Sequence, residues 1–181
     1  MDVDDCRRKL TNHWLKTREY KYGPGELKLN SKERKSSPAF FAVDFFCGAG
    51  GMTLGMLDAN GYVIGGVDKD IRCERTYVEN NVNRHLDHKA PKFLAYDIFP
   101  ATIETPDGQQ NELIIELREL ITKYRCANQD VPLLFAVCAP CQPFTKISKK
   151  KLSDKRREGR AKDTNLLQES TKFISEFLPE F

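Results

Sequence analysis

At 181 residues, with 40% apolar and 30% charged side chains, the chain is long enough for one α/β domain with a sizeable core, and its longest apolar runs are too short for a membrane span. The N-terminus MDVDDCRRKL lacks the apolar stretch of a secretory signal, so an intracellular protein is expected, cytoplasmic in a bacterium or nuclear in a eukaryote, its six cysteines free thiols rather than a disulfide framework. The net charge of +3 is unevenly spread: residues 146–160 alone carry 8 basic and 2 acidic side chains, a density that suits a polyanion as well as a solvated surface.

Residues 1–37 read as a basic N-terminal extension, with a helical stretch around Arg7 to Tyr20 and a break at Gly23-Pro24-Gly25. FFAVDFF, residues 40–46, is a buried strand, followed by CGAGG and the helical pattern MTLGMLDAN. GYVIGGVDKD supplies a second strand ending near Val67, and IRCERTYVENNV a second helix with Asp70 as its N-cap candidate. PKFLAYDIFP holds a short third strand with a loop after Tyr96, and ATIETPDGQQ is a turn-rich insertion. NELIIELRELITKYR is the most periodic helix, PLLFAVC is strand four, and residues Thr164 to Leu178 form a last helix. Continuous apolar strands alternating with helices predict a parallel sheet covered on both faces, a Rossmann-like α/β fold.

The first strand-to-helix turn, D-F-F-C-G-A-G-G, is where a ligand should sit. Gly48, Gly50 and Gly51 let backbone N–H groups and a helix N-terminus approach a bound molecule, although the same glycines also suit a close helix-to-sheet crossing. At the end of strand two, Asp68 stands where an acidic side chain accepts hydrogen bonds from the ribose of an adenosine-type cofactor. Asp97, after strand three, faces the same crevice and suits an adenine amino group.

Strand four ends at that edge in the stretch CAPCQPFT. Pro140 and Pro143 restrict the backbone around Cys141 and Gln142, which suits Cys141 to attack an electrophilic carbon beside the cofactor; Cys138 reads as a small buried side chain. A redox pair would need the C-x-x-C to open a helix at once, and Gln142-Pro143-Phe144 follows instead. Zinc is a weaker reading still, because Cys47, Cys73 and Cys126 lie in separate elements; no metal is expected.

DFFCGAGG (44–51) resembles the cofactor motif of the DNA cytosine-5 methyltransferases, and APCQPFT (139–145) resembles their nucleophile motif. The order and separation of the two fit, and the resemblance covers roughly residues 40–181, so residues 38–181 are expected to be the N-terminal part of that family's catalytic domain. It implies S-adenosyl-L-methionine as cofactor, S-adenosyl-L-homocysteine as product, and double-stranded DNA as substrate, in the setting of DNA methylation or restriction and modification. It further implies that Phe46 packs against the cofactor, Asp68 holds the ribose, Lys69 lies on the ring where many members have an aromatic residue, and Asp97 and Ile98 frame the adenine. Leu166 closes the pocket, Cys141 is the nucleophile, and Pro140 helps to place its thiol. Gln142, Thr145, Lys149, Lys150, Lys151, Arg156 and Arg157 are expected on the DNA side.

In the family, a further strand carries a glutamate that contacts the cytosine ring, and a target-recognition domain follows. Neither is found here, so a complementary methyltransferase subunit or C-terminal fragment is expected as partner, and strand four is expected to have an open outer edge. The competing expectation is a catalytically inactive, methyltransferase-like DNA-binding or regulatory subunit.

Overall fold

The computed structural model describes residues 37–82, 90–140 and 165–181. The helical stretch expected near the N-terminus, and the segment from Cys141 to Arg157, lie outside the described residues. In chain order the elements are β1 (Phe40–Phe45), α1 (Gly51–Asp58), β2 (Gly61–Val67), a 3-10 turn (Ile71–Cys73), α2 (Glu74–Asn81), β3 (Lys92–Leu94), α3 (Gln110–Ala127), β4 (Leu133–Val137) and α4 (Leu166–Phe177).

The strands form one sheet in the order β3-β2-β1-β4, every pair parallel, as the apolar runs predicted. Side chains alternate across β1. Phe41, Val43 and Phe45 face a core shared with Leu113, Leu117 and Ile121 of α3 and Leu166 and Phe173 of α4. Ala42 faces the other side, with Met56 and Leu57 of α1 and Val63 of β2. A third cluster joins Tyr77 of α2 to Phe93 and Cys47, so the described helices cover both faces of the sheet. At the centre of the larger core the Phe45 ring lies 5.2 Å from both Phe135 and Phe173, contacts worth about 0.5–1.5 kcal/mol each beyond area burial.

The strand ends are level, because Phe45 pairs with Val67 and with Val137, and Val67 pairs with Leu94. The residues that follow, Phe46, Asp68 and Cys138, therefore emerge along one edge of the sheet. Strand order reverses at β1, and in open parallel sheets the crevice at such a reversal takes the ligand.

The outer side of β4 is not bare, contrary to expectation. Phe135 N–H donates to the Phe181 carbonyl at 2.8 Å and Glu180 N–H to the Leu133 carbonyl at 2.9 Å. The Glu180 carboxylate clamps this pairing, accepting from Leu133 N–H and from the buried Arg125 guanidinium, both at 2.7 Å. Backbone groups at the start of β4 are thus satisfied by the residues after α4.

Candidate ligand crevice at the carboxyl edge of the sheet

The turn from β1 into α1 departs sharply from regular backbone. Phe46, Gly48 and Gly50 all have left-handed dihedrals, with φ of 61°, 50° and 86°. Glycine adopts these freely, but a phenylalanine there costs about 1–2 kcal/mol, a strain that surrounding structure must hold. Cys47 N–H donates to the Val67 carbonyl at 3.1 Å, Gly50 N–H to the Cys47 carbonyl at 2.8 Å, and the Phe46 ring packs on the larger core.

Asp68 grips this turn from β2. Its Oδ2 accepts from Gly48 N–H at 3.0 Å and its Oδ1 from Asp70 N–H at 2.9 Å. Each carboxylate oxygen has a second lone pair, so acceptor capacity remains for a diol at the same place. A Cβ added to Gly48 or Gly51 would meet open space, so there is room beside the turn for a ligand. Gly50 differs: a Cβ there would fall 2.2 Å from Asn81 Nδ2 and 2.9 Å from the Tyr77 ring. Its α-carbon therefore serves the close crossing of α1 and α2.

Beneath the turn lies a buried polar cluster that sequence reasoning passed over. Thr53 Oγ1 donates to Asp44 Oδ2 at 2.6 Å and lies 3.2 Å from the Tyr77 hydroxyl oxygen. The Thr53 backbone also bonds to Asp44, so a strand carboxylate caps α1, whose N-cap Gly50 has no side chain to do so. Burial pushes the Asp44 carboxyl above its ordinary value, the bonds from Thr53 pull against that, and the charge of Asp68 adds to the rise. From α2, Asn80 Nδ2 donates to the Ala49 carbonyl at 3.1 Å, and Asn81 Nδ2 to the Tyr77 carbonyl at 2.8 Å. A single aspartate inside the apolar run FFAVDFF was the available signal for this cluster.

The remaining expected residues fall in several places. Lys69 is exposed beyond the end of β2, while Asp97 is half-buried in the loop after β3 and accepts from Phe99 N–H at 3.1 Å. Ile98 and Leu166 are both buried in the larger core, which joins the loop after β3 to the start of α4. Pro140 is exposed at the β4 end of the edge; Cys141, Gln142, Thr145, Lys149, Lys150, Lys151, Arg156 and Arg157 lie outside the described residues. Asp70 caps the 3-10 turn as expected, accepting from Arg72 N–H at 3.1 Å, and hydrogen bonding to Arg72 pulls its carboxyl down to about 2.

The cysteines require two corrections. Cys138 is an exposed free thiol rather than a small buried side chain: it stands just past the end of β4 at Val137, where its N–H still donates to the Phe45 carbonyl at 3.4 Å but its side chain is open to solvent. Cys126 is disulfide-bonded, so the thiols are not all free. Cys47 is buried, and burial together with the charges of Asp44 and Asp68 raises its thiol far above the usual range, which leaves it inert at neutral pH.

Among the described residues no group of three or more His, Cys, Asp or Glu side chains is placed to hold a metal, and no helix is long and apolar enough to cross a membrane. An open groove of about 360 Å³ between β3 and α3 shares no residue with the glycine turn. Within its lining, Lys92 and Tyr96 both bond to Glu116.

Among the described residues the fold is α/β, with a four-stranded, all-parallel sheet consistent with a Rossmann-like fold, and the carboxyl edge of that sheet carries the glycine turn and Asp68. The chain is similar to the type II methylase M.HgiDII of Herpetosiphon aurantiacus, with 29% identity over 138 residues, 76% of this chain and 30% of that protein. It thus spans about 30% of the length of the curated relative it matches. No protein-family model matches the chain, and no solved structure matches it.

Proposed function

We propose that this chain is the cofactor-binding and nucleophile-bearing part of a DNA cytosine-5 methyltransferase. The observation that carries the reading is the strained turn Phe46–Gly50, gripped by Asp68 at Gly48 N–H, on the edge from which Pro140 leads into Cys141. Similarity to a type II methylase supports methyl transfer and a restriction-modification setting.

The residues present fit S-adenosylmethionine: the free space beside Gly48 and Gly51 and the spare lone pairs of Asp68 suit an adenosyl ribose, and Asp97 suits the adenine amine. Phe46, Ile98 and Leu166 would form its apolar walls and Lys69 an outer rim. When bound, that cofactor supplies an electrophilic methyl group. Carbon 5 of cytosine is a weak nucleophile while the ring is conjugated. The Cys141 thiolate adds to carbon 6, which places electron density on carbon 5; loss of the carbon 5 proton after methylation lets the thiolate leave. The base must leave the stack to be reached, and Lys149, Lys150, Lys151, Arg156 and Arg157 would hold the flanking phosphates, with Gln142 and Thr145 near the backbone. In this reading the group that contacts the cytosine ring nitrogen and the target-recognition elements come from further polypeptide, of the same chain or a partner subunit.

The test is covalent trapping. The chain, alone and co-expressed with a complementary methyltransferase fragment, is incubated with S-adenosylmethionine and duplex DNA containing 5-fluorocytosine, then mapped by mass spectrometry. A DNA adduct on Cys141 is expected. Cofactor and DNA binding without any adduct in either preparation would turn the assignment to an inactive, DNA-binding regulatory subunit.

A further inference from the structure

We infer that Gln109 and Gln110 are positioning residues for the adenine side of the proposed cofactor site, and that Glu169 latches that side to the helix bearing Leu166. The inference rests on the cofactor reading above. In sequence the two glutamines close a turn-rich insertion and carry no motif. In the structure they grip the backbone of three consecutive residues, Asp97 to Phe99. Gln109 N–H donates to the Asp97 carbonyl at 3.1 Å, and its side-chain Oε1 accepts from Asp97 N–H at 3.3 Å. Gln110 N–H donates to the Phe99 carbonyl at 3.0 Å, and its Nε2 donates to the Ile98 carbonyl at 2.9 Å.

The same Nε2 donates to Glu169 Oε2 at 2.9 Å, across 59 residues of chain. A primary amide nitrogen has two protons, and here each has its own acceptor. Gln110 is almost fully buried, so neither bond is replaced by water without cost. Glu169 lies one turn along α4 from Leu166, and Leu166 and Ile98 belong to the same core. One side chain therefore ties the backbone of the proposed adenine frame to the element that closes it. The loop returns tightly enough to make this possible because a Cβ on Gly108 would collide with the Pro100 and Phe99 carbonyl oxygens, at 2.3 and 2.5 Å, while Thr105 Oγ1 donates to the Pro100 carbonyl at 2.6 Å.

Asp97 spends one carboxylate oxygen on Phe99 N–H, and the direction of the other is set by the peptide units that the glutamines hold. Loss of that grip should therefore act on recognition of the adenine amine and not merely on stability. The test uses the full chain and two probes, S-adenosylhomocysteine and its inosine counterpart, which lacks the amine. Affinities are measured by titration calorimetry, and folding is followed by thermal unfolding. Wild type should prefer the adenine form, and Asp97→Ala should abolish that preference and set the baseline. Gln110→Glu, which removes both donors and faces Glu169 with a like charge, should weaken the adenine form by about tenfold or more and bring the preference toward the baseline. Glu169→Gln keeps an acceptor for Nε2 and should retain the preference. If Gln110→Glu does not fold, Gln109→Ala, which removes only the acceptor for Asp97 N–H, must lower the preference on its own. An unchanged preference in the folded glutamine variants overturns the inference and leaves the cofactor reading standing; a wild type that binds neither probe overturns both.

Discussion

Thr53 Oγ1 lies 2.6 Å from Asp44 Oδ2 in the interior, where Asp44 and Thr53 are both fully buried. This contact joins the end of β1 to the first turn of α1 and so spans the glycine turn between them. The folded chain holds the Asp44 proton more tightly than the unfolded chain does, since burial raises the carboxyl above its ordinary value of 3.8. The stability tied to this group is therefore greatest at acid pH and declines as pH rises from the ordinary carboxylate range through the folded value. Asp44→Asn keeps an acceptor for Thr53 and removes the titration. Its unfolding midpoint should match or exceed that of wild type near about pH 8, with the gap closing toward about pH 4. Thr53→Val should cost about 1–3 kcal/mol and steepen the pH dependence, because the carboxyl loses the bond that offsets its burial. Denaturant unfolding across that pH range is the measurement, and a pH-independent loss in Asp44→Asn would refute the account.

Asp68 has two tasks that mutation can separate. It holds Gly48 N–H and Asp70 N–H in the free protein, and in the proposed complex it also accepts from the ribose. Asp68→Ala should weaken S-adenosylhomocysteine binding by about 1.5–3 kcal/mol, the value of a charged hydrogen bond. The 2′-deoxyribose form of the ligand, which lacks one hydroxyl, should lose less affinity than the parent on the same substitution. Equal losses for the two ligands would assign Asp68 to the turn alone.

Gly50 and Gly51 are neighbours with opposite expectations. Gly50 has φ of 86° and no room for a Cβ against Asn81 and Tyr77, whereas Gly51 opens onto free space at the first position of α1. Gly50→Ala should destabilise by about 1–3 kcal/mol through strain and overpacking. Gly51→Ala should leave stability unchanged or raise it by up to about 1 kcal/mol, because alanine is the better helix former. Thermal unfolding of the two variants decides this, and similar losses in both would contradict the placement of Gly50 against α2.

The parts of the fold that could be read from sequence are those whose signals are local. FFAVDFF and GYVIGGV are apolar runs bounded by turn residues, and Leu113, Leu117, Leu120 and Tyr124 repeat at helical spacing, so β1, β2 and α3 were found within a residue or two. Other features depend on partners distant in sequence. Gln110 meets Glu169, Arg125 meets Glu180, and Glu180 meets Leu133, and no pattern in a single sequence marks such pairs. The second helix begins as a 3-10 turn because Asp70 caps its first turn through Arg72 N–H, a matter of cap geometry rather than periodicity. At the candidate site the glycine turn and its aspartates were legible as a motif. The carboxylate beneath the turn was not, since an isolated Asp in a strand gives no direction for its partner.

Thiol reactivity gives the last prediction and bears on how the trapping experiment must be controlled. Cys138 is exposed and only three residues before Cys141, so it is the thiol that confuses an adduct assignment. Cys73 is half-buried, and burial, with the charges of Asp68 and Asp70, raises its pKa. Cys47 is buried with its pKa raised furthest, and thiolate supply governs the rate of alkylation. Brief treatment of the native, unreduced chain with iodoacetamide near neutral pH, followed by peptide mapping, should therefore, among these three thiols, label Cys138 first, Cys73 more slowly and Cys47 only after unfolding. Cys138→Ser should leave the unfolding midpoint close to that of wild type, because the side chain is exposed, and should serve as the background in which an adduct at Cys141 is sought. Rapid labelling of Cys47 in the folded chain would mean that the turn above Asp44 opens readily, and the close packing of Phe46 to Gly50 described for the crevice would then be wrong.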